Sequence, residues 1–398
     1  MPPTTPESLG LSSARLARIQ PAMQRYIDAK KLAGIITLIF RHGQIAHFQT
    51  FGSMDIEAGR PMHPDALFRI YSMTKPITST AVLMLMEEGA LRLSDPVTDY
   101  IPSFKDIKVY QPRGTADFGL VPPTRPITIH DLLTHTSGLS YGFEENSYVD
   151  GLYQTKVWQR FDKEPDLTLA QMVEGITKLP LAHQPGTAFR YSVATDVLGY
   201  LVQVISGQPF DLFLKEQIFT PLKMQDTSFT VPPEKVSRFT ANYGPEEGGG
   251  LKVIDAPATS NYTKPTQCPS GGGGLISSTL DYLRFCQMLL NKGELDGVRL
   301  LGRKTVEWMT SNHIPAGMFD GGNNSMGFGL GGAVVLDAGR STIPGSVGSF
   351  TWGGAANTKF WIDFQEQLIA ILMLQFMPSD LYPVATDFTN LVYQALVD

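Results

Sequence analysis

The stretch from Pro76 to Met86 constrains this chain most. It carries no charged residue, is apolar on nearly every side, and reads as part of a helix running from Ser72 to about Glu88. A helix without a polar face must be covered all round, so the chain has to build a core large enough to enclose it. With 398 residues, 42% of them hydrophobic and 18% charged, it can. The apolar runs Val82–Met86 and Leu368–Phe376 are too short to span a bilayer, which makes burial in protein the expectation.

Ser72-Met73-Thr74-Lys75 opens this helix and is the sole Ser-x-x-Lys of the sequence. A short strand, Leu67–Tyr71, leads into it. Residues three apart share a helix face, so Ser72 and Lys75 should point the same way. The Ser72 N–H would be an unpaired helix donor, and the helix dipole favours an anion there. Burial disfavours a charged amine, which makes Lys75 a candidate base or electrostatic helper. On spacing alone, a capping serine followed by an exposed first-turn lysine fits equally well.

Around this motif the chain changes character twice. Helical spacing from Ser12 to about Ala29 is followed by the strands Gly34–Phe40 and Ile45–Phe51, joined at Arg41-His42-Gly43. The middle alternates helical patterns (Leu167–Leu179, Ala194–Ser206, Ser278–Leu290) with the expected loops Pro102–Pro126, Asn242–Gly250 and Cys268–Gly274. The end returns to strands at Ala333–Leu336, Ser349–Trp352, Lys359–Phe364 and Leu368–Phe376, with a closing helix over Tyr382–Leu396. Strands at both ends and helices between them predict an α/β domain built from residues 1–93 and 327–398, interrupted by a mostly helical domain over 94–326.

Other functions lose ground on composition. The net charge is −6 and no block of lysine or arginine stands out, so a nucleic-acid partner is not expected. Two cysteines, Cys268 and Cys286, make no disulfide framework and read as free thiols of a reducing compartment. The start, MPPTTPESLG, has neither a basic cluster nor a long apolar run, so no signal peptide is read and a cytoplasmic location is expected. The seven histidines are scattered, with His130 and His135 five apart and no His-Glu-x-x-His, so neither a metal nor a cofactor is expected. His135 reads as a residue that orders its loop, and Asp131 as a cap.

Four segments together resemble one known family. Ser72-Met73-Thr74-Lys75-Pro76 is similar to the Ser-x-x-Lys motif of family VIII carboxylesterases, relatives of class C β-lactamases and penicillin-binding proteins. Asp131 to Leu139 (DLLTHTSGL) resembles a segment common in that superfamily. Pro185 to Ser192 (PGTAFRYS) resembles the stretch holding its catalytic tyrosine, which implies Tyr191. Trp352-Gly353-Gly354 resembles the esterases' substitute for the lactamase Lys-Thr-Gly. The four come in family order and span most of the chain.

The resemblance implies a β-lactamase-like fold, an antiparallel sheet flanked by helices with a mostly helical second domain, and acyl transfer through Ser72. A serine hydroxyl needs a base, and Ser-Lys enzymes work without histidine. Tyr191 would take the proton, its phenolate stabilised by cationic Lys75. The oxyanion would sit between the backbone N–H groups of Ser72 and, by family analogy, Ala355. Trp352, Gly353 and Gly354 would bind substrate, the glycines letting the backbone approach closely. Two departures point away from β-lactams: Tyr191 is followed by Ser192-Val193 rather than x-Asn, and Lys-Thr-Gly is missing. The expected substrate is therefore a neutral small-molecule ester. A β-lactamase or D-alanyl-D-alanine peptidase-like enzyme, an acyltransferase, and a non-catalytic binding protein on the same fold are the rival readings.

Two other motifs compete. Gly138-Leu139-Ser140-Tyr141-Gly142 fits G-x-S-x-G but lacks the strand before and helix after that a nucleophile elbow needs. Gly327–Gly332 fits G-x-G-x-x-G, yet a strand-like Ala-Val-Val-Leu follows where a nucleotide site needs a helix.

Overall fold

The computed structural model describes residues 5–112, 118–164 and 166–398. The first four residues of the N-terminal stretch, and 113–117 of the expected loop Pro102–Pro126, lie outside the described residues.

Eight strands make one antiparallel sheet. They are β1 (Gly34–Arg41), β2 (Gln44–Asp55), β3 (Arg60–Pro61), β4 (Met326–Phe328), β5 (Ala333–Val335), β6 (Phe350–Gly353), β7 (Lys359–Asp363) and β8 (Leu368–Leu374), in the spatial order β4-β5-β6-β7-β8-β1-β2-β3. The two ends of the chain meet where β1 pairs with β8, Leu38 opposite Ile371. Both strands are buried along their whole length, so both faces of the sheet are covered.

Side-chain alternation sorts the two faces. Ile36, Leu38, Ile369, Ile371 and Phe360 belong to the larger core, which holds the apolar helix α2 (Thr74–Glu87). Ile35, Ile39, Leu372 and Trp361 point the other way, into a smaller core shared with α1 (Ile19–Asp28) and α5 (Val384–Tyr393). As its sequence requires, α2 is buried from Thr74 to Leu85. Its hydroxyls are satisfied inside that core: Thr80 donates to the Pro76 carbonyl at 2.9 Å and Thr78 to the Gly271 carbonyl at 2.8 Å. Against it lies α3 (Ala194–Ser206), while α4 (Thr279–Leu290) packs on β7 and β8.

The expected fold class therefore holds, with local corrections. The helix expected over Ser12–Ala29 is broken into Ser13–Leu16 and α1, because Pro21 has no N–H for the Ala17 carbonyl and its ring crowds that group. Two expected loops contain hairpins, Val109–Pro112 with Phe118–Val121 and Asn242–Pro245 with Leu251–Asp255. Alternation in the partner strand outweighs local proline and glycine there. No single helix among the described residues is long and apolar enough to cross a membrane.

Candidate active site

The strand Leu67–Arg69 pairs with Ile276–Ser278 and ends on a fully buried arginine. Arg69 donates to Asp255 Oδ2 and the Thr240 carbonyl, both at 2.7 Å, and to Ser260 Oγ at 3.1 Å. Past this anchor the chain turns sharply: Tyr71 has φ 42°, left-handed backbone that a bulky residue adopts at a cost of about 1–2 kcal/mol. That turn corrects the expected geometry. The strand stops at Arg69, Ser72 stands half-buried in a 3₁₀ turn over Tyr71–Met73, and α2 begins only at Thr74.

Ser72 and Lys75 nevertheless meet. Lys75 is fully buried, and its Nζ donates to the Gly272 carbonyl at 2.7 Å, the Tyr141 hydroxyl at 3.0 Å and Ser72 Oγ at 3.3 Å. Three donors thus meet three acceptors. Gly272 must be glycine for this approach, since a Cβ there would lie 2.6 Å from both Asp196 Oδ2 and the Tyr141 hydroxyl. The Gly272 peptide is held from its other side as well, its N–H donating to Asp196 Oδ1 at 3.1 Å.

The structure brings Tyr191 into the same cluster but not through its hydroxyl. Its ring centroid lies 4.4 Å from Lys75 Nζ, and the buried hydroxyl has no hydrogen-bond partner among the described residues. The phenol bonded to Lys75 is that of Tyr141, which the sequence reading passed over as part of the G-x-S-x-G decoy. Tyr141 is clasped between Phe143 and Trp158, both rings at 17° to it, and Trp158 Nε1 donates to its carbonyl at 2.6 Å. Trp158 reaches it from a π-helical turn over Gln154–Trp158. Burial, then the nearby Asp196 and Tyr191, push the Tyr141 phenol well above its usual pKa.

Asp196, on α3, is the second residue that sequence reasoning missed. It is buried, accepts from Ser270 Oγ and the Gly272 N–H, and has its pKa raised by desolvation against the pull of those bonds and of Lys75. Its place five residues after Tyr191 was the available signal.

The remaining expected residues lie around Tyr191 and the Ser72 turn. Trp352 on β6 stands with its ring 5.6 Å from Tyr191 and 5.2 Å from Phe328. Gly353 pairs with Lys359, and Gly354 lies so close to the start of the Ser72 turn that a Cβ would fall 2.4 Å from the Ile70 carbonyl. Ala355 follows directly, in the turn between β6 and β7. His135 is buried behind Tyr191, 4.8 Å between ring centroids, and burial followed by the Lys75 charge holds it far below the usual imidazole pKa. It orders the wall, its carbonyl accepting from the Arg190 N–H at 2.8 Å.

The decoys resolve structurally. Ser140 Oγ donates to Asp150 Oδ1 at 2.8 Å and accepts from Arg190 Nε at 3.0 Å, inside a buried ion-pair network. Asp131 caps the helix Ile129–Leu133 in a reciprocal box with Thr128. Gly327–Gly332 closes the β4–β5 hairpin.

The chain as a whole is similar to known proteins. Protein Rv1367c of Mycobacterium tuberculosis is 36% identical over 373 residues, covering 90% of each chain. Esterase EstB of Burkholderia gladioli is 31% identical over 385 residues, covering 92% of each. The solved structure of EstCE1, described as a hydrolase with promiscuous acyltransferase activity, superposes with a TM-score of 0.82 at 26% identity, covering 96% of this chain and 99% of that one. The family described as Beta-lactamase matches residues 19–394, nearly the whole length. The chain belongs to the beta-lactamase family.

Proposed function

We propose that this protein is a serine carboxylesterase that forms an acyl-enzyme on Ser72, with acyl transfer to alcohols as a side activity. The observation that carries the reading is the contact of Ser72 Oγ with the buried Lys75 ammonium, set among Tyr141, Tyr191 and Trp352. Its resemblance to family VIII esterases agrees with the kinship to EstB, and the acyltransferase activity named for EstCE1 supports the side reaction.

Ser72 Oγ attacks the ester carbonyl carbon while its proton passes to the Tyr191 oxygen, which must close to hydrogen-bond reach of Ser72 in the substrate complex, the Lys75 charge stabilising the phenolate. The oxyanion is held by the backbone N–H groups of Ser72 and Ala355. The proton then goes to the departing alkoxide, and alcohol leaves. Water attacks the acyl-enzyme, gives its proton to Tyr191, and the acid departs as Ser72 is re-protonated. An alcohol in place of water gives a new ester. Tyr141 holds Lys75 in place, and Asp196 holds the Gly272 peptide on which Lys75 rests. Trp352 gives the acyl or alcohol group an apolar wall.

A panel of p-nitrophenyl esters run beside a chromogenic cephalosporin tests the reading. Turnover of the esters that disappears in Ser72→Ala supports it; a cephalosporin rate equal to or above the ester rate would sink it in favour of a lactamase.

A further inference from the structure

Gly353 of β6 pairs in register with Lys359 of β7, so a lysine sits beside the cleft strand. It does not serve the cleft. Lys359 alternates with Phe360, whose ring lies 5.1 Å from Tyr282 of α4 in the larger core, and so belongs to the opposite face with Thr351 and Trp361. There it lines a cavity of about 100 Å³ between the sheet, α5 and residues 338–345.

This cavity has donors that the protein does not satisfy. The side chain of half-buried Lys359 makes no hydrogen bond or ion pair among the described residues; desolvation lowers its pKa, and Asp380 acts on it only from beyond ion-pair reach. Ser349 and Trp361 are 3% and 4% exposed, and neither the Ser349 hydroxyl nor the Trp361 indole N–H has a partner. Both are directed toward the Tyr393 hydroxyl, which donates to Asp363 Oδ2 at 2.8 Å. Buried polar groups are normally paired, so a hydroxyl and an indole N–H left without partners beside the half-buried Lys359 ammonium call for an acceptor. Val335 and Ile343 add apolar wall, beside the hydroxyl-bearing Ser341, Thr351 and Thr389. At about 10–15 Å³ for each water-sized position, the volume corresponds to roughly seven to ten of them.

We propose that this cavity is a second ligand site, on the sheet face opposite Ser72, and that it takes a short-chain monocarboxylate of about three to five carbons. The carboxylate meets Lys359, Ser349 and Trp361, and the aliphatic tail lies against Val335 and Ile343. A carboxylate of this size is also what hydrolysis of a short ester releases. Occupancy would therefore report product to the back of the strand bearing Trp352, a consequence that rests on the esterase reading while the site itself does not.

The test is calorimetric titration of the full chain with sodium butyrate after Ser72 has been blocked by a fluorophosphonate, the adduct being checked by mass. Saturable 1:1 binding is expected, weakened at least tenfold in Lys359→Met and several-fold in Ser349→Ala, each with an unchanged circular dichroism spectrum. Butyramide should not bind. Absence of saturable binding, equal binding by a folded Lys359→Met, or inorganic phosphate binding as tightly as butyrate would each overturn the proposal. Should the probe fail to label Ser72, the catalytic reading falls separately, and the loss of binding in Lys359→Met still decides the second site.

Discussion

Lys75 Nζ reaches the Tyr141 hydroxyl across 3.0 Å, although the two residues lie 66 positions apart. The lysine is thereby fixed between a phenol from one segment and a peptide carbonyl from another, with its third contact left for the nucleophile. This arrangement separates the roles of the two tyrosines and sets the first expectation.

Tyr191→Phe should lower kcat by roughly 10²–10⁴-fold, the range for loss of a positioned proton carrier. Tyr141→Phe removes a hydrogen bond from a charged group, about 1.5–3 kcal/mol, and should cost roughly one to two powers of ten. Lys75→Ala combined with Tyr191→Phe should be little worse than either alone, because groups acting as a unit do not add. Single-turnover kinetics on p-nitrophenyl butyrate measures all four variants; if Tyr141→Phe is the more damaged tyrosine, the proton carrier is Tyr141.

Ser72→Ala should abolish ester hydrolysis while Ser140→Ala retains most of it. Ser140 serves stability instead. Removing its hydroxyl leaves buried Asp150 and Arg190 each a partner short, at a cost of about 1–3 kcal/mol. Denaturant melts of the two alanine variants should therefore rank opposite to their activities.

His47 gives a pH signature. Buried against Thr37 Oγ1 at 2.7 Å, it is lowered by desolvation from 6.5 to about 4. The unfolded chain then binds more protons than the folded one between those values. The contribution is intact above pH 6.5 and is lost as pH falls toward 4, by about 3 kcal/mol in all. The unfolding free energy of wild type relative to His47→Gln should drop by that order from pH 7.5 to 4. An unchanged difference would show that the imidazole titrates freely. The raised carboxyl of Asp281, at about 6, works in the opposite direction in both proteins and cancels from the comparison.

Neutral esters should outrun cephalosporins in kcat/KM by at least about tenfold. A charge-assisted bond to a substrate carboxylate is worth about 1.5–3 kcal/mol, and the aromatic Trp352 provides none. Trp352→Ala should raise KM for p-nitrophenyl butyrate more than it lowers kcat, since an apolar wall binds substrate and transition state alike.

What the sequence made legible followed period and pattern. The buried helix and the closeness of Ser72 to Lys75 rest on spacing within one segment, and the strands at the two ends on apolar, β-branched runs within each; Trp352 entered only through the family resemblance. Tyr141 and Asp196 escaped because their importance comes from a third segment, the Gly272 loop, which brings them against Lys75 only in the folded chain. A local motif drew attention to Ser140, the neighbour of the residue that faces the site. The left-handed Tyr71 was illegible for another reason: nothing in an aromatic side chain signals positive φ, which is imposed by the anchoring of Arg69 on one side and α2 on the other.

The Gly272 peptide, tied to Asp196 by its N–H and to Lys75 by its carbonyl, also has a kinetic meaning. Its bond to Lys75 closes a loop of 197 residues, among the contacts slowest to form in a folding chain. The charge that readies Ser72 is thus positioned only after the distant parts of the protein have docked. During refolding, helical circular dichroism should recover first and esterase activity last, so a half-assembled chain would carry a silent serine.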